Sequence, residues 1–583
     1  MRTTTKILAS AILLTVAAAA QARDPIPLRL IGINDLHGNL EATGLNLFLD
    51  EPGAPPEKQQ MRVTVGGAAA VAGMVKKLRA GSRNSIMLAG GDLIGGAPLV
   101  STLFKHETTI EILNDIGLDV STLGNHEFDA GSKELLRVIK GGCAPTVPDE
   151  VIASCVTSPY KGARFTYIAA NVVDAKGKRL VAPYVIRRIQ GIPVGIIGGV
   201  TKTTPQMVVP SGVAGLQFQD EAEATNRAAK ELRAKGVKAM IAVFHEGLEL
   251  GTSARRRGDW NDVSCPEAHG PLLNIARRLA PEIKVIFSGH THQGYRCEID
   301  GRLLIQGTSY GRGISVVDVA LDPVRRTMLP PVRSYNLAVV NDKTDPAHRE
   351  KLAAAAPEPF ATVLRESQPD PAIAEKVARF AALVAPKAER QVARIAGPFT
   401  RSGKSDTSAG RLIADAQLAA TRVDGAQFAF MNPGGIRSNL ECAAPPCNVT
   451  FGQAFTMQPF GNSLIIMTLT GAQLKTLLEQ QHKIPTGDPR FLTPSEGFTY
   501  TWQSDAPVGE RARDIRFKGE PIEPTKTYRV TVNSFLAEGG DGFDVLTEGT
   551  DRKGGGQDVD ALIAYLAASE RAPIAEARIA RLP

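Results

Sequence analysis

Short, mostly apolar runs alternate with amphipathic stretches through the first half of the chain. Leu28–Ile33, Ser85–Ala89, Met240–Phe244 and Val285–Phe287 have the length and composition of buried strands, and a further short run surrounds Val120. Apolar positions recur at helical spacing from Gly67 to Arg79 and from Asp220 to Lys235. This alternation predicts α/β or α+β architecture. The stretch Glu51–Pro56, rich in Pro and Gly, predicts a surface loop. Between Val340 and Lys387 the chain turns rich in Ala, Glu, Lys and Pro and poor in aromatics, which predicts a helical linker. A second mixed α/β domain is expected from Ala388 onward. A chain of 583 residues is too long for one ordinary core. The expected division is a signal segment at 1–22, a first domain at 23–339, the linker at 340–387 and a second domain at 388–583.

Composition narrows the class. Hydrophobic residues make up 43% and charged residues 22%, as in soluble globular proteins. Arg2 and Lys6 precede an apolar run from Ile7 to Ala20, and Ala20-Gln21-Ala22 fits the small-x-small cleavage rule. This pattern predicts a secretory signal peptide cut after Ala22, and so a periplasmic location. The run is short for a membrane span. No later stretch is long and apolar enough to cross a bilayer, and no lipid-anchor pattern occurs, so no membrane anchor is expected. The net charge is +7, including Arg2 and Lys6. A mild positive balance suits anionic substrates without naming them. Arg255-Arg256-Arg257 reads as a solvated loop, so no nucleic-acid polymer is expected as a partner. Six cysteines in a secreted chain suggest three disulfides. Proximity favours Cys143–Cys155, Cys265–Cys297 and Cys442–Cys447, although other pairings stay open. No CxxC spacing is present, which disfavours a cysteine zinc site.

The chemistry lies where the strand-like runs end. Asn34-Asp35-Leu36-His37, Gly90-Gly91-Asp92, Leu123-Gly124-Asn125-His126-Glu127, Phe244-His245-Glu246-Gly247 and Gly289-His290-Thr291-His292 each follow one run. Residues at the carboxyl ends of several strands converge on one crevice in α/β sheets. Asp35, Asp92, Asn125, His37, His245, His290 and His292 form an oxygen and nitrogen donor set suited to zinc, manganese or iron(II). Seven donors with one bridging carboxylate suffice for two divalent cations. The two aspartates leave such a centre at about +2, which attracts phosphate and makes water more acidic.

Gly-Asn-His-Glu at 124–127 and Gly-His-Thr-His at 289–292, in this order, resemble the calcineurin-like metallophosphoesterases over about residues 28–330. The resemblance implies a four-layer α-β-β-α domain. It implies that Asp35, His37, Asp92 and His292 hold one cation. Asp92, Asn125, His245 and His290 would hold the other, with Asp92 bridging. His126 would face the phosphoryl group as acid or stabiliser, oriented by Asp129. His106, His269, His348 and His482 match no ligand position and are expected to be ordinary surface histidines.

The second half carries its own markers. They are Asn432-Pro433-Gly434-Gly435-Ile436-Arg437, Gln458-Pro459-Phe460-Gly461-Asn462 and Ser534 to Phe543. Glycine turns followed by arginine suit backbone approach to an anion, and Phe residues beside turn glycines can stack a base. Together the markers resemble the 5'-nucleotidase C-terminal domain of periplasmic UDP-sugar hydrolases and ecto-5'-nucleotidases. The resemblance implies that Phe460 and Phe535 sandwich the base and that Asp541 binds ribose hydroxyls. Asn432 or Asn462 would lie near the base. Gly434, Gly435 and Arg437 would meet an anionic or ribose group. Arg401 and Lys404, before the Gly410-Arg411-Leu412-Ile413 helix start, are candidate further basic contacts whose spacing departs from the family pattern. The expected activity is that of a two-metal 5'-nucleotidase acting on nucleoside 5'-monophosphates, with nucleotide sugars as further substrates. Rivals are a 2',3'-cyclic phosphodiesterase/3'-nucleotidase, a sulfur-oxidation homologue of the same fold and a nucleotide-binding protein with a decayed site. The native metals, base preference and oligomeric state are not written in the sequence.

Overall fold

Six strands form the first sheet, in the order Arg333–Ala338, Gly313–Leu321, Ile26–Ile33, Ser85–Ala89, Val120–Thr122 and Thr166–Ile168. A second six-stranded sheet runs Gly294–Ile299, Arg302–Gly307, Ile283–Phe287, Ala239–His245, Ile192–Val200 and Tyr184–Ile189. These come from a computed structural model that describes residues 24–582 apart from 43–44, 51–59, 146–153, 157–158, 251–258, 404 and 483–490. The expected signal segment, the Glu51–Pro56 loop, Arg255–Arg257 and Lys404 lie outside the described residues.

The two sheets pack face to face on an apolar layer that includes Leu30, Leu88, Val120, Ile196, Ile241, Val243 and Ile305. Alternation along a strand explains the apolar runs. Leu28 and Leu30 face the space between the sheets, whereas Ile31 and Ile33 face the helices outside. A strand buried on both faces needs apolar residues at nearly every position. Helices Ala68–Ala80 and Glu107–Ile116 cover the first sheet, and Glu221–Ala234 and Pro271–Arg278 cover the second. The result is the four-layer α-β-β-α domain. Asp220 caps the Glu221–Ala234 helix by accepting from the Glu223 N–H, which fixes where that helix starts.

Parallel pairing sets the position of the site. Ile26–Ile33 runs parallel to Ser85–Ala89, which runs parallel to Val120–Thr122. Ala239–His245 runs parallel to Ile283–Phe287. Each set of carboxyl ends therefore emerges at one edge of its sheet.

Three helices, Pro346–Ala355, Phe360–Glu366 and Pro371–Ala388, occupy the expected linker. Asp345 and Asp370 cap the first and third, each with proline at the first helical position. They do not form a loose tether. Phe360, Val363, Ile373, Val377, Phe380 and Val384 are buried in the same cluster as Ile31, Met87 and Ile110 of the first domain.

The second domain has a five-stranded sheet in the order Thr493–Pro494, Phe428–Met431, Thr527–Asn533, Ser463–Thr470 and Thr550–Gln557. A four-stranded sheet of Glu520–Pro521, Ala512–Phe517, Phe498–Gln503 and Ile579–Leu582 lies in the same domain. Phe428, Phe430, Phe498, Tyr500 and Trp502 form its aromatic core. Disulfides join Cys143 to Cys155, Cys265 to Cys297 and Cys442 to Cys447, the pairs that proximity favours. Among the described residues, no helix is long and apolar enough to cross a membrane.

Candidate active site

At the carboxyl edge of the two sheets, seven side chains meet in two groups. His292 Nε2 lies 3.2 Å from His37 Nε2 and 3.5 Å from Asp35 Oδ1. In the second group, His245 Nε2 lies 3.1 Å from Asp92 Oδ2 and 2.9 Å from Asn125 Oδ1. Asn125 Oδ1 is in turn 3.1 Å from His290 Nδ1. Asp92 Oδ2 also lies 3.6 Å from His37 Nε2, so this one carboxylate faces both groups. Ligands about 2.0–2.2 Å from a tetrahedral cation sit roughly 3.3–3.6 Å from one another. The observed separations run close to that spacing, and the donors are oxygens and imidazole nitrogens, so the residues fit two divalent cations.

The imidazoles are oriented for this role. His37 Nδ1–H donates to the Gly95 carbonyl and His245 Nδ1–H to the Gly90 carbonyl, each at 2.8 Å, which turns Nε2 toward the site. Burial, with Arg437 nearby, holds His37 well below the usual histidine pKa; burial and His37 do the same for His292. Burial also acts on His245, but the Asp92 and Asp35 carboxylates outweigh it and raise that group to about 10. A cation bound there takes the place of that proton.

The backbone is strained to bring these groups together. Asp35, His37, Asp92, His290 and His292 have φ of 47°, 46°, 50°, 75° and 57°. Left-handed conformations cost non-glycine residues about 1–3 kcal/mol each and persist only when the surroundings hold them. Here the holding groups are visible. The Glu127 carboxylate accepts from the N–H groups of Asp92 at 2.9 Å, Leu93 at 2.8 Å and Gly124 at 2.6 Å. Burial, helped by Asp92, pushes the Glu127 pKa up to about 7. The Asp35 carboxylate accepts from the His290 N–H, the Asn34 amide donates to it at 2.6 Å, and Tyr310 N–H donates to the Asp35 carbonyl. A Cβ on Gly124 would run into the Asp92 carboxylate, so only glycine fits there.

His126 stands beside the donors. Its Nδ1 lies 2.9 and 3.0 Å from the two Asp129 oxygens, and its backbone N–H donates to Asp92 Oδ1 at 2.9 Å. Burial works against the imidazolium, yet Asp129 and Asp92 prevail and raise its pKa. His106 lies elsewhere. It is half-buried rather than a surface group, bonded to Ser101 Oγ at 2.9 Å, and burial pushes its pKa down to about 4.

The second domain closes the site from above. Arg437 Nη2 comes within 3.5 Å of His37 Nε2, and the Arg437 guanidinium lies 5.7 Å from the Phe460 ring centre. Phe460 stacks on His126 with ring centres 5.6 Å apart and planes 17° apart. Asn533 donates to Asn432 Oδ1 at 2.9 Å, and Asn432 donates to Asp541 Oδ2 at 2.8 Å. Asn462 donates to Asp558 at 3.3 Å and accepts from Ser534 Oγ at 3.4 Å. Arg401 Nη1 donates to the Arg437 carbonyl at 2.9 Å from an exposed rim.

A single cavity of about 500 Å³ joins these parts. Asp92, Asn125, His126, Asp129, His290 and His292 line it from the first domain. Arg401, Asn432, Gly434, Gly435, Arg437, Phe460, Asn462, Phe535 and Asp541 line it from the second. Asp35, His37 and His245 are fully buried beside it. Asn34, Glu127, Tyr310 and Asn533 take part without having been picked out from the sequence. Asn34 and Glu127 carried a signal, as the first residue of Asn34-Asp35-Leu36-His37 and the last of the Gly-Asn-His-Glu motif.

Residues 28–294 match the calcineurin-like phosphoesterase family, and residues 390–548 match the 5'-nucleotidase C-terminal domain. Endonuclease YhcR of Bacillus subtilis is 33% identical over 565 residues, covering 96% of this chain and 41% of that protein. Cell wall protein Lmo0130 of Listeria monocytogenes is 30% identical over 549 residues, covering 91% of this chain and 66% of its own. The chain thus spans less than two-thirds of the length of these two curated relatives. The crystal structure of a 5'-nucleotidase precursor from Thermus thermophilus is similar with a TM-score of 0.73 at 26% identity, covering 96% of this chain and 99% of that one. With both family matches falling on the two domains that share the cavity, the chain joins a domain of the calcineurin-like phosphoesterase family to a 5'-nucleotidase C-terminal domain.

Proposed function

We propose that the protein is a secreted 5'-nucleotidase that hydrolyses nucleoside 5'-monophosphates to nucleoside and phosphate, with nucleotide sugars as further substrates. One observation carries this reading: four of the donors, Asp92, Asn125, His290 and His292, and the Phe460, Phe535, Asn432 and Asp541 side chains line one cavity. A phosphate held at the donors therefore has a place for its nucleoside within the same space.

In this reading Asp35, His37, Asp92 and His292 hold one cation, and Asp92, Asn125, His245 and His290 hold the other. When bound, the two cations supply positive charge against the phosphate and make water more acidic. His126 holds a proton toward the phosphoryl oxygens, where negative charge grows. Asp129 fixes its tautomer by taking the Nδ1–H. Arg437, already beside His37, binds a phosphate oxygen. One face of Phe460 rests on His126, which leaves the other for a base opposite Phe535. Asp541, held by Asn432, accepts from ribose hydroxyls.

The test is a product panel with 5'-AMP, 3'-AMP and 2',3'-cyclic AMP, using the protein loaded with zinc or manganese. Adenosine and phosphate released fastest from 5'-AMP support the reading. Preference for the cyclic or 3' substrate moves the protein to the phosphodiesterase branch. Binding of 5'-AMP without metal-dependent turnover makes it a binding protein. N-terminal sequencing of the exported chain checks secretion, with Arg23 as the expected first residue.

A further inference from the structure

The cavity has an apolar wall that neither the metal chemistry nor the aromatic pair uses. Met207, Val208 and Val209, with Pro271, line it from the phosphoesterase domain. These side chains offer nothing to a phosphate or a cation. They lie at the nucleoside end, because the short helix Thr204–Met207 packs on the Gly540–Gly542 turn that carries Asp541.

The wall is also rigidly tied to the metal donors. The Thr201 N–H donates to the carbonyl of His245 at 3.0 Å, and Thr204 Oγ1 donates to the Thr201 carbonyl at 2.7 Å. The chain then turns extended at Val208, with φ −127° and ψ 168°. Val208 is 2% exposed and belongs to the same buried core as Val213 and Phe128, whereas Met207 and Val209 on either side are only half-buried. Alternation thus anchors the middle side chain and leaves its neighbours partly free. The segment stands at a fixed distance from the donors, whatever the second domain does.

We propose that Met207 and Val209 form a third wall of the nucleoside pocket, contacting the flat, uncharged heteroaromatic base of the substrate from the phosphoesterase domain. The inference rests on the nucleotidase reading above and adds specificity residues to it. Phosphate at the metals and base against Met207 make the wall a gauge of the distance between them. A thioether is polarisable and conformationally adaptable, which suits contact with an aromatic ring. A phosphate ester without a base leaves the wall untouched.

The experiment compares 5'-AMP with ribose 5-phosphate on the metal-loaded full chain. Met207→Ala is expected to lower kcat/KM for 5'-AMP by roughly 3- to 10-fold, about 0.6–1.4 kcal/mol at 1.4 kcal/mol per tenfold, chiefly through KM. Ribose 5-phosphate should change by less than roughly twofold, and Met207→Leu should restore most of the loss. Val209→Thr, which keeps shape and adds a hydroxyl, gives a second reading if Met207→Ala does not fold. Equal losses on both substrates, or none on 5'-AMP, overturn the wall. If the wild-type protein itself shows no preference for 5'-AMP over ribose 5-phosphate, the nucleotidase reading fails with it. A preference present in the wild type and intact in Met207→Ala and Val209→Thr removes the wall alone.

Discussion

Arg437 of the second domain reaches to within 3.5 Å of His37 Nε2 in the first. In the proposed reading its cation therefore serves the phosphate rather than the base. Arg437→Ala is expected to lower kcat/KM on 5'-AMP by roughly 10²-fold, the cost of losing one donor to developing charge. Unlike loss of a stacking residue, it should harm small base-free phosphate esters as well. Steady-state kinetics on both substrates check this, and normal turnover of the small ester would remove Arg437 from the phosphate.

Asp92 faces both donor groups, so its loss should empty both. Asp92→Asn is expected to lose most bound metal, measured by elemental analysis, and turnover with it. Chelation should abolish activity reversibly, with zinc or manganese restoring it. Full activity after exhaustive chelation would sink the two-metal reading.

His126 and Asp129 make a pH prediction with a definite sign. Against burial, the Asp129 and Asp92 carboxylates raise the His126 pKa, so the imidazolium persists to higher pH than in a free histidine. Activity that needs this proton falls as pH rises through that pKa. Asp129→Asn removes a negative charge, lowers the pKa and should move the alkaline limb of the kcat/KM profile to lower pH. His126→Ala should keep its metal and lose roughly 10²- to 10⁴-fold in kcat. Loss of a full metal equivalent would instead make His126 a ligand, a role that its closeness to His37 and Asp92 permits.

Phe460 and Phe535 test substrate class. Stacking on an aromatic is worth about 1–3 kcal/mol per base, so either change to Ala should weaken kcat/KM for 5'-AMP by roughly 5- to 150-fold. Ribose 5-phosphate serves as the control, with melting temperature alongside. Parallel losses on both substrates, following a fall in folded protein, would make these rings packing.

The residues that gather at the strand ends were legible because each motif is local. His290-Thr291-His292 needs only the end of one strand, and the parallel pairing of the sheets does the gathering. Glu127 was not legible as a brace, because its three partners include Asp92 and Leu93, which lie far away in sequence. The positive φ at Asp35 and His292 was hidden for a related reason: composition suggests left-handed backbone mainly where glycine stands. Met207 and Val209 are apolar residues, and an apolar residue in a sequence reads by default as core. The helical character of the stretch after Val340 was visible from composition. The partner of these helices was not, since burying Phe360 and Phe380 depends on which surface they meet.

That partnership bears on how the protein can be divided. A recombinant phosphoesterase fragment ending at Val339 would strip Phe360, Val363, Phe380 and Val384 from the face they cover and leave the Ile31–Met87–Ile110 layer wet. Such a fragment should aggregate, because a bare apolar face of this kind invites association. A fragment carried on to Ala388 would keep its own lid of helices. The useful cut for expression therefore lies after the third helix, some fifty residues beyond the point where the last strand of the first sheet ends.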